Sequence, residues 1–232
     1  DIGLPKVDGV SVLEAWRNGV LRSTPHRAVN KSPERFSMPY FVAANHDTGA
    51  KQLPGKPILI SFDDGYEGVY KYAVPILNRY KFRSVLFLVV GRVGQKKPIA
   101  HLTWDELKKM RDSGLWEFGS HTYDLHCYLR ERLQLGGVFP DQIVKDLRKS
   151  REVLKKELGV DTTAFAWPYG RYDENTIQLA AKAGFNMQFT IDFGGTKIRE
   201  GTNRVKRYIM MEDDSPVETF KQLEVGLVEV DQ

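Results

Sequence analysis

The segment at residues 58–66, with the sequence ILISFDDGY, restricts the fold of this chain more than any other segment. Its first five residues are mostly apolar and lack a regular polar alternation, a pattern typical of a strand buried on both faces of a parallel sheet. Asp63 and Asp64 follow directly, and Gly65 allows a sharp turn into residues with helical apolar spacing. We therefore expect both carboxylates at the carboxyl end of a central strand, where α/β sheets and barrels place their active sites.

The two adjacent aspartates have two interpretations. Neighbouring ionised carboxylates repel each other unless a cation, a shared proton or water compensates their charge, and this favours a functional site. Alternatively, Asp64 caps the following helix and Asp63 is a solvated loop residue. The segment by itself leaves both interpretations open.

The remaining chain alternates between strand-like and helix-like segments. Further strand-like segments lie at residues 38–45, 84–91, 115–120, 163–170, 186–192 and 205–211. Repeated βα units predict a parallel sheet with right-handed crossovers, and 232 residues suit one distorted or incomplete (β/α) barrel. We expect a single α/β domain at residues 37–232 and, before it, a lead-in segment at residues 1–36 that packs on the barrel.

Charge, cysteine content and hydropathy exclude some partners and structural features. The net charge of +4 and the sequence pI of about 9.0 are not concentrated in a long run of like charges, so nucleic acid is not an expected partner. Cys127 is the single cysteine, which excludes an intramolecular disulfide. No stretch approaches about 18 consecutive apolar residues, and the first residues do not have the pattern of a signal peptide.

Two histidines also follow a predicted strand. His121 and His126 come after residues 115–120, and their spacing does not match one face of a helix, so they must lie on a loop or irregular turn. Together with one carboxylate they form a ligand set suited to Zn²⁺, Co²⁺ or Ni²⁺, with open positions for water and substrate. Without the aspartates, this pair would be interpreted as ordinary polar loop histidines.

Three short motifs, in this order, carry a family resemblance: SFDDG at residues 61–65, GSHTYDLH at residues 119–126 and AWPYG at residues 166–170. They resemble the first three motifs of polysaccharide deacetylases of the NodB-homology type, carbohydrate esterase family 4. The resemblance covers about residues 37–211 and implies a distorted (β/α) barrel.

The resemblance also implies the roles of the motif residues. Asp63 would be the general base, and Asp64, His121 and His126 would hold one divalent transition metal. The backbone N–H of Tyr169 would donate a hydrogen bond to the oxyanion.

The longer loop between the histidines is most similar to the branch that de-N-acetylates poly-β-1,6-N-acetyl-D-glucosamine, a biofilm exopolysaccharide. In this branch a metal-bound water would attack the acetamide carbonyl and release acetate. Deacetylation of chitin oligosaccharides or peptidoglycan, or a non-catalytic sugar-binding role, are the alternatives. A phosphoryl-transfer enzyme with Mg²⁺ is disfavoured, because the chain has no Gly-rich phosphate loop and imidazoles are poor Mg²⁺ ligands.

The chain departs from the common family pattern in its third motif. Ala166 stands where the family usually has an arginine that contacts the base aspartate. Trp167 and Tyr66 are expected to contact substrate, although a core position for Trp167 is the alternative interpretation.

A second departure concerns the general acid, because no histidine follows Tyr169 in the sequence. The first and last strands of a closed barrel are neighbours, so His46, after the first predicted strand, could supply the acid in a circularly permuted arrangement. Asp192 could then orient this histidine. The alternatives are a loop histidine for His46 and a turn residue for Asp192.

The expected substrate determines the expected location. A deacetylase of an extracellular N-acetylglucosamine polymer must act outside the cell or at its surface, and a mildly basic protein suits an anionic envelope or membrane headgroups. The loop at residues 128–139, which has several leucines among arginines, is the candidate for peripheral membrane contact; packing of this loop on the barrel is the alternative. We expect a monomer.

Overall fold

A computed structural model describes residues 40–46, 58–127, 139–197 and 201–210. The predicted lead-in segment and residues 128–138 of the predicted contact loop lie outside these ranges. In the described part of the chain, no helix is long and apolar enough to cross a membrane.

One sheet organises the described residues. Its strands are β1 (Tyr40–His46), β2 (Ile58–Phe62), β3 (Ser84–Leu88), β4 (Trp116–Ser120), β5 (Ala164–Ala166), β6 (Met187–Phe189), β7 (Thr196–Lys197) and β8 (Tyr208–Met210). The order is β6-β5-β4-β3-β2-β1-β7, and β8 pairs with β1. Strands β2 to β6 are mutually parallel, as predicted, so their carboxyl ends lie at one edge of the sheet.

Helices connect these parallel strands. They are α1 (Val74–Tyr80), which continues a π-helical turn (Val69–Ala73), α2 (Trp104–Asp112), α3 (Pro140–Leu158) and α4 (Glu174–Lys182). Helix α2 begins with a capping box, in which the Thr103 hydroxyl accepts from the Glu106 N–H and the Glu106 carboxylate accepts from the Thr103 N–H. The result is the half-barrel with outer helices expected from the βα repeat.

Strand β3 shows why the interior segments lack a polar alternation. All five of its residues are buried. Leu86 and Leu88 pack toward the helices, whereas Val85 and Phe87 pack in a separate cluster with Phe189 of β6. Both faces of the sheet are therefore covered, which is the condition under which parallel strands become apolar throughout.

The direction of β1 differs from the expectation of a parallel first strand. Tyr40 pairs with Phe62 and Ala44 pairs with Ile58, so β1 runs antiparallel to β2. The carboxyl end of β1, at His46, therefore lies beyond the amino end of β2, opposite to Asp63. The physical reason is the short connection: residues 47–57 are too few for the crossover, of about a dozen or more residues, that parallel neighbours need.

The segment after β6 connects one end of the strand order, at β6, with β1 near the other end. The Val205 N–H donates to Gln188 O at 2.8 Å, and the Thr190 N–H donates to Val205 O at 2.9 Å. Three residues later, β8 begins and pairs with β1. This path brings residues 205–210 alongside the central strands and carries Arg207 into the interior.

Candidate active site

The tight turn after β2 presents two carboxylates at the carboxyl edge of the sheet. Asp64 has a φ of 70° and Gly65 a φ of 80°, so both lie in the left-handed region. A Cβ atom on Gly65 would lie 2.5 Å from a methyl carbon of Leu88, and only glycine fits there without a shift. Because of this turn, the side chains of Asp63 and Asp64 contact different partners.

Asp64, His121 and His126 bring three ligand atoms together, all within 4.8 Å of one another. Asp64 Oδ1 lies 2.9 Å from His126 Nε2 and 3.6 Å from His121 Nε2. Both histidines are buried, and so is Asp64 Oδ1. One carboxylate oxygen and two imidazole nitrogens that converge in this way fit a small divalent transition metal.

The hydrogen bond of His121 selects the nitrogen that faces this centre. His121 Nδ1 lies 2.8 Å from the carbonyl oxygen of Ala166, which can only accept, so Nδ1 carries the proton. Nε2 then presents its lone pair toward Asp64, the arrangement usual for metal-binding histidines. Strand β5 thus fixes a ligand that follows β4.

The ionisation of Asp64 and His121 suits a cation, whereas His126 would have to lose its proton to bind one. Burial is the largest influence on Asp64 and would raise its pKa, but a hydrogen bond from His126 and the charges of His121 and His126 lower the pKa to about 2. Burial lowers the pKa of His121 and so favours its neutral form. For His126, burial acts in the same direction, but the hydrogen bond and charge of Asp64 outweigh it and raise the pKa.

Asp63 is held by an arginine that the sequence interpretation missed. Arg207 Nη1 donates to Asp63 Oδ1 at 2.9 Å, and Nη2 donates to Oδ2 at 3.0 Å, so the pair is bidentate. The Arg207 side chain is completely buried, and that of Asp63 is 7% exposed. The guanidinium therefore fills the role left open by Ala166 and comes from a different strand.

The surroundings of Arg207 restrict it to one position. Its Nε donates to Thr190 O at 2.7 Å, and its guanidinium carbon lies 5.7 and 6.0 Å from the ring centres of Phe87 and Phe189. The signal in the sequence was Arg207 itself, a charged residue beside Lys206 in the otherwise apolar strand-like segment at residues 205–211. Such a residue in a buried strand requires an internal partner.

Two tyrosines flank the triad. Tyr169 has a φ of 56°, and its ring, 41% exposed, lies 4.8 Å from the ring of His126. Tyr66 packs against the ring of His101 at 5.0 Å. Burial, followed by the charge of Asp64 and a hydrogen bond to it, raises the pKa of Tyr66 to about 12. The structure thus places both predicted site tyrosines beside metal-binding candidates.

Three predicted site residues lie elsewhere. Trp167 is 0% exposed and donates its indole N–H to Gln188, so it belongs to the core, and the predicted substrate contact is wrong. The Asp192 carboxylate accepts a hydrogen bond from the Tyr172 hydroxyl, and this partner is not the predicted histidine. His46 lies at the end of β1 opposite to Asp63, and the antiparallel direction removes the geometry on which its acid role depended.

The described residues thus form a parallel α/β half-barrel that carries an arginine-bound carboxylate and three possible metal ligands at the carboxyl edge of its sheet. The polysaccharide deacetylase family model matches residues 50–188. The chain belongs to this family, whose members are hydrolases that act on amide bonds.

Individual relatives agree with this assignment. A poly-β-1,6-N-acetyl-D-glucosamine N-deacetylase of Staphylococcus aureus (strain MSSA476) is 30% identical over 165 residues, which are 70% of this chain and 57% of the relative. The chain thus spans little more than half the length of this curated relative.

Solved structures give the same fold. IcaB from Ammonifex degensii is 31% identical with a TM-score of 0.61, over 75% of this chain and 76% of that one. The Streptococcus pyogenes deacetylase PplD, solved with acetate, is 27% identical with a TM-score of 0.62, over 70% and 68% of the two chains.

Proposed function

We propose that this protein removes acetyl groups from poly-β-1,6-N-acetyl-D-glucosamine, with Zn²⁺, Co²⁺ or Ni²⁺ held by Asp64, His121 and His126. The observation that carries the proposal is the convergence of these three ligand atoms beside Asp63, a carboxylate bound by Arg207 but not part of the triad. The names of the relatives support the choice of polymer.

The residues present divide the reaction between them. The metal ion would polarise the acetamide carbonyl and make a water molecule more acidic. Asp63 would take the proton from the attacking water, because each of its oxygens keeps a lone pair beyond the one that Arg207 uses. The Tyr169 backbone N–H would stabilise the negative charge on the carbonyl oxygen.

The leaving nitrogen needs a proton when the C–N bond breaks. Since His46 is not at the site, we assign this step to Asp63, which would return the proton that it took from water. The products are a free amine on the sugar and acetic acid, which ionises to acetate in solution, and no proton is gained or lost on the enzyme. Tyr66, which hydrogen-bonds to Asp64 at the same edge, is our candidate for contact with the sugar.

Location and assembly follow from the same proposal. The polymer lies outside the cell, so we expect the protein there or at the cell surface, and residues 128–139 remain the candidate for membrane contact. We expect a monomer to be active, because the described residues of one chain supply every group of the site.

Acetate release tests the proposal directly. Purified protein should release acetate from poly-β-1,6-N-acetyl-D-glucosamine faster than from chitin oligosaccharides or peptidoglycan. Chelation should abolish release, and added Zn²⁺, Co²⁺ or Ni²⁺ should restore it. Asp63→Asn should keep the bound metal but lose ~10² to 10⁴-fold in rate, the usual contribution of a general base.

Each other outcome would contradict a defined part of the proposal. Full activity of the chelated protein would exclude metal-dependent deacetylation. A preference for chitin or peptidoglycan would show that the proposed polymer is not the substrate, whereas the proposed deacetylation chemistry would still apply. A normal rate in the Asp63→Asn variant would show that another residue acts as the general base.

A further inference from the structure

The loop between the two histidines is bound from one side by helix α3. Asp146, on this helix, accepts a hydrogen bond from the Tyr123 N–H at 2.8 Å on one carboxylate oxygen. Its other oxygen accepts from the Asp124 N–H at 2.9 Å. The Leu125 N–H also hydrogen-bonds to this carboxylate. One side chain therefore contacts three of the four residues between His121 and His126.

The same loop is bound from the opposite side by the 3₁₀ turn after β3. The Val90 N–H donates to Thr122 O at 3.0 Å, and the Gly91 N–H donates to Tyr123 O at 2.8 Å. On the α3 side, Lys149 lies one turn after Asp146, and its Nζ is 3.7 Å from the centre of the Tyr123 ring. The loop is thus held by its N–H groups on one side and by its carbonyl groups on the other.

This double attachment matters because the loop does not have a relaxed backbone. Thr122 has a φ of 80°, a conformation that is costly for a β-branched residue and persists only where its surroundings enforce it. The His-x4-His spacing provides no helix to direct the two rings. Their relative position therefore depends on the groups that hold the intervening backbone.

We infer that Asp146 is a positioning residue of the metal site, which sets metal affinity through the conformation of the loop between His121 and His126. The inference rests on the proposed function, because it assumes that these histidines bind a metal. A carboxylate suits this role, since its two oxygens can accept several N–H groups at once and it has no donor to oppose them. An amide at this position would offer one acceptor and place an NH₂ group against a backbone N–H.

The test measures metal affinity separately from activity. The dissociation constant for Zn²⁺ would be determined for the metal-free protein by competition with a chromophoric chelator. Asp146→Asn should weaken Zn²⁺ binding by about 10-fold or more, within the range seen when groups that orient metal ligands are removed. Asp141→Asn is the matched control, because Asp141 is exposed in the first turn of α3 and its substitution removes the same charge. Its Zn²⁺ affinity should equal that of the wild type.

Thermal unfolding of the metal-free variants completes the test. If Asp146→Asn lowers the unfolding temperature but leaves the Zn²⁺ dissociation constant unchanged, Asp146 only stabilises the fold and the inference is overturned. If the asparagine variant does not fold, Asp146→Glu takes its place, and wild-type Zn²⁺ affinity in that variant would overturn the inference, because its oxygens are displaced by one methylene. A wild-type protein that binds no Zn²⁺ would instead contradict the proposed function.

Discussion

At the scale of single residues, the site depends on two carboxylates that are adjacent in sequence but differ in environment. Asp64 faces two imidazoles, whereas Asp63 is bound by a guanidinium. The left-handed backbone of Asp64 makes this separation possible, since it turns neighbouring side chains in different directions. Like charges that would repel each other thereby have separate partners. The structural alternative, a helix cap beside a solvated loop aspartate, does not describe these contacts.

The pairing of Arg207 with Asp63 leads to a prediction about geometry. Arg207→Lys keeps the positive charge but replaces a planar bidentate donor with a point charge, so Asp63 should lose its fixed orientation. We expect kcat for acetate release to fall by ~10 to 100-fold, since small displacements of reacting groups are costly. Metal content should not change, because Arg207 contacts Asp63 and not the triad.

Arg204→Lys is the control for this substitution. Arg204 pairs with Glu174 on the surface, and exposed ion pairs contribute little. Its activity should stay close to that of the wild type. Equal activity of Arg207→Lys and the wild type would show that Asp63 does not need a bidentate partner.

At the scale of secondary structure elements, the parallel strands bring together what the sequence separates. The carboxyl ends of β2, β4 and β5 deliver Asp63, Asp64, His121 and the Ala166 carbonyl to one edge, across about a hundred residues of sequence. Periodicity and strand ends were sufficient to predict this edge, because parallel strands joined by helices place all their carboxyl ends together.

Two features were not predictable from periodicity. The direction of β1 depends on how its connection to β2 is built, and an apolar run of that length is compatible with either direction. The contact between Arg207 and Asp63 joins residues that are 144 positions apart and requires the barrel to bring β8 beside the central strands. Trp167 shows the same limit, because its burial depends on Gln188 of the neighbouring strand β6 as well as on Phe165 of β5.

The direction of β1 leads to a prediction at this scale. Because His46 lies opposite to Asp63 along the sheet, His46→Ala should leave kcat for acetate release within about twofold of the wild type, as expected of a residue outside the catalytic geometry. The measurement is a steady-state acetate assay on both proteins, with Asp63→Asn as the inactive reference. A ~10²-fold loss with metal retained would restore His46 as the acid and require β1 to run in the other direction.

At the scale of the whole molecule, the triad connects parts of the chain that are distant in sequence. Asp64 follows β2, while His121 and His126 follow β4 and contact β5 and the turn after it through Ala166 and Tyr169. A metal ion at this point would cross-link the central sheet. One carboxylate oxygen and two imidazole nitrogens are buried together there, an arrangement that a cation would stabilise.

Metal binding should therefore stabilise the folded protein. A ligand at 100 times its dissociation constant stabilises the native state by about 2.7 kcal/mol, provided that the unfolded chain does not bind it. For a domain of this size, this corresponds to a rise in unfolding temperature of roughly 5 to 10 °C. Thermal unfolding of the chelated protein with and without added Zn²⁺ measures the shift. Asp64→Asn should remove most of the shift because it removes the anionic ligand, whereas Asp112→Asn, an exposed substitution at the end of α2, should keep it. An equal shift in Asp64→Asn and the wild type would place the bound metal at another site.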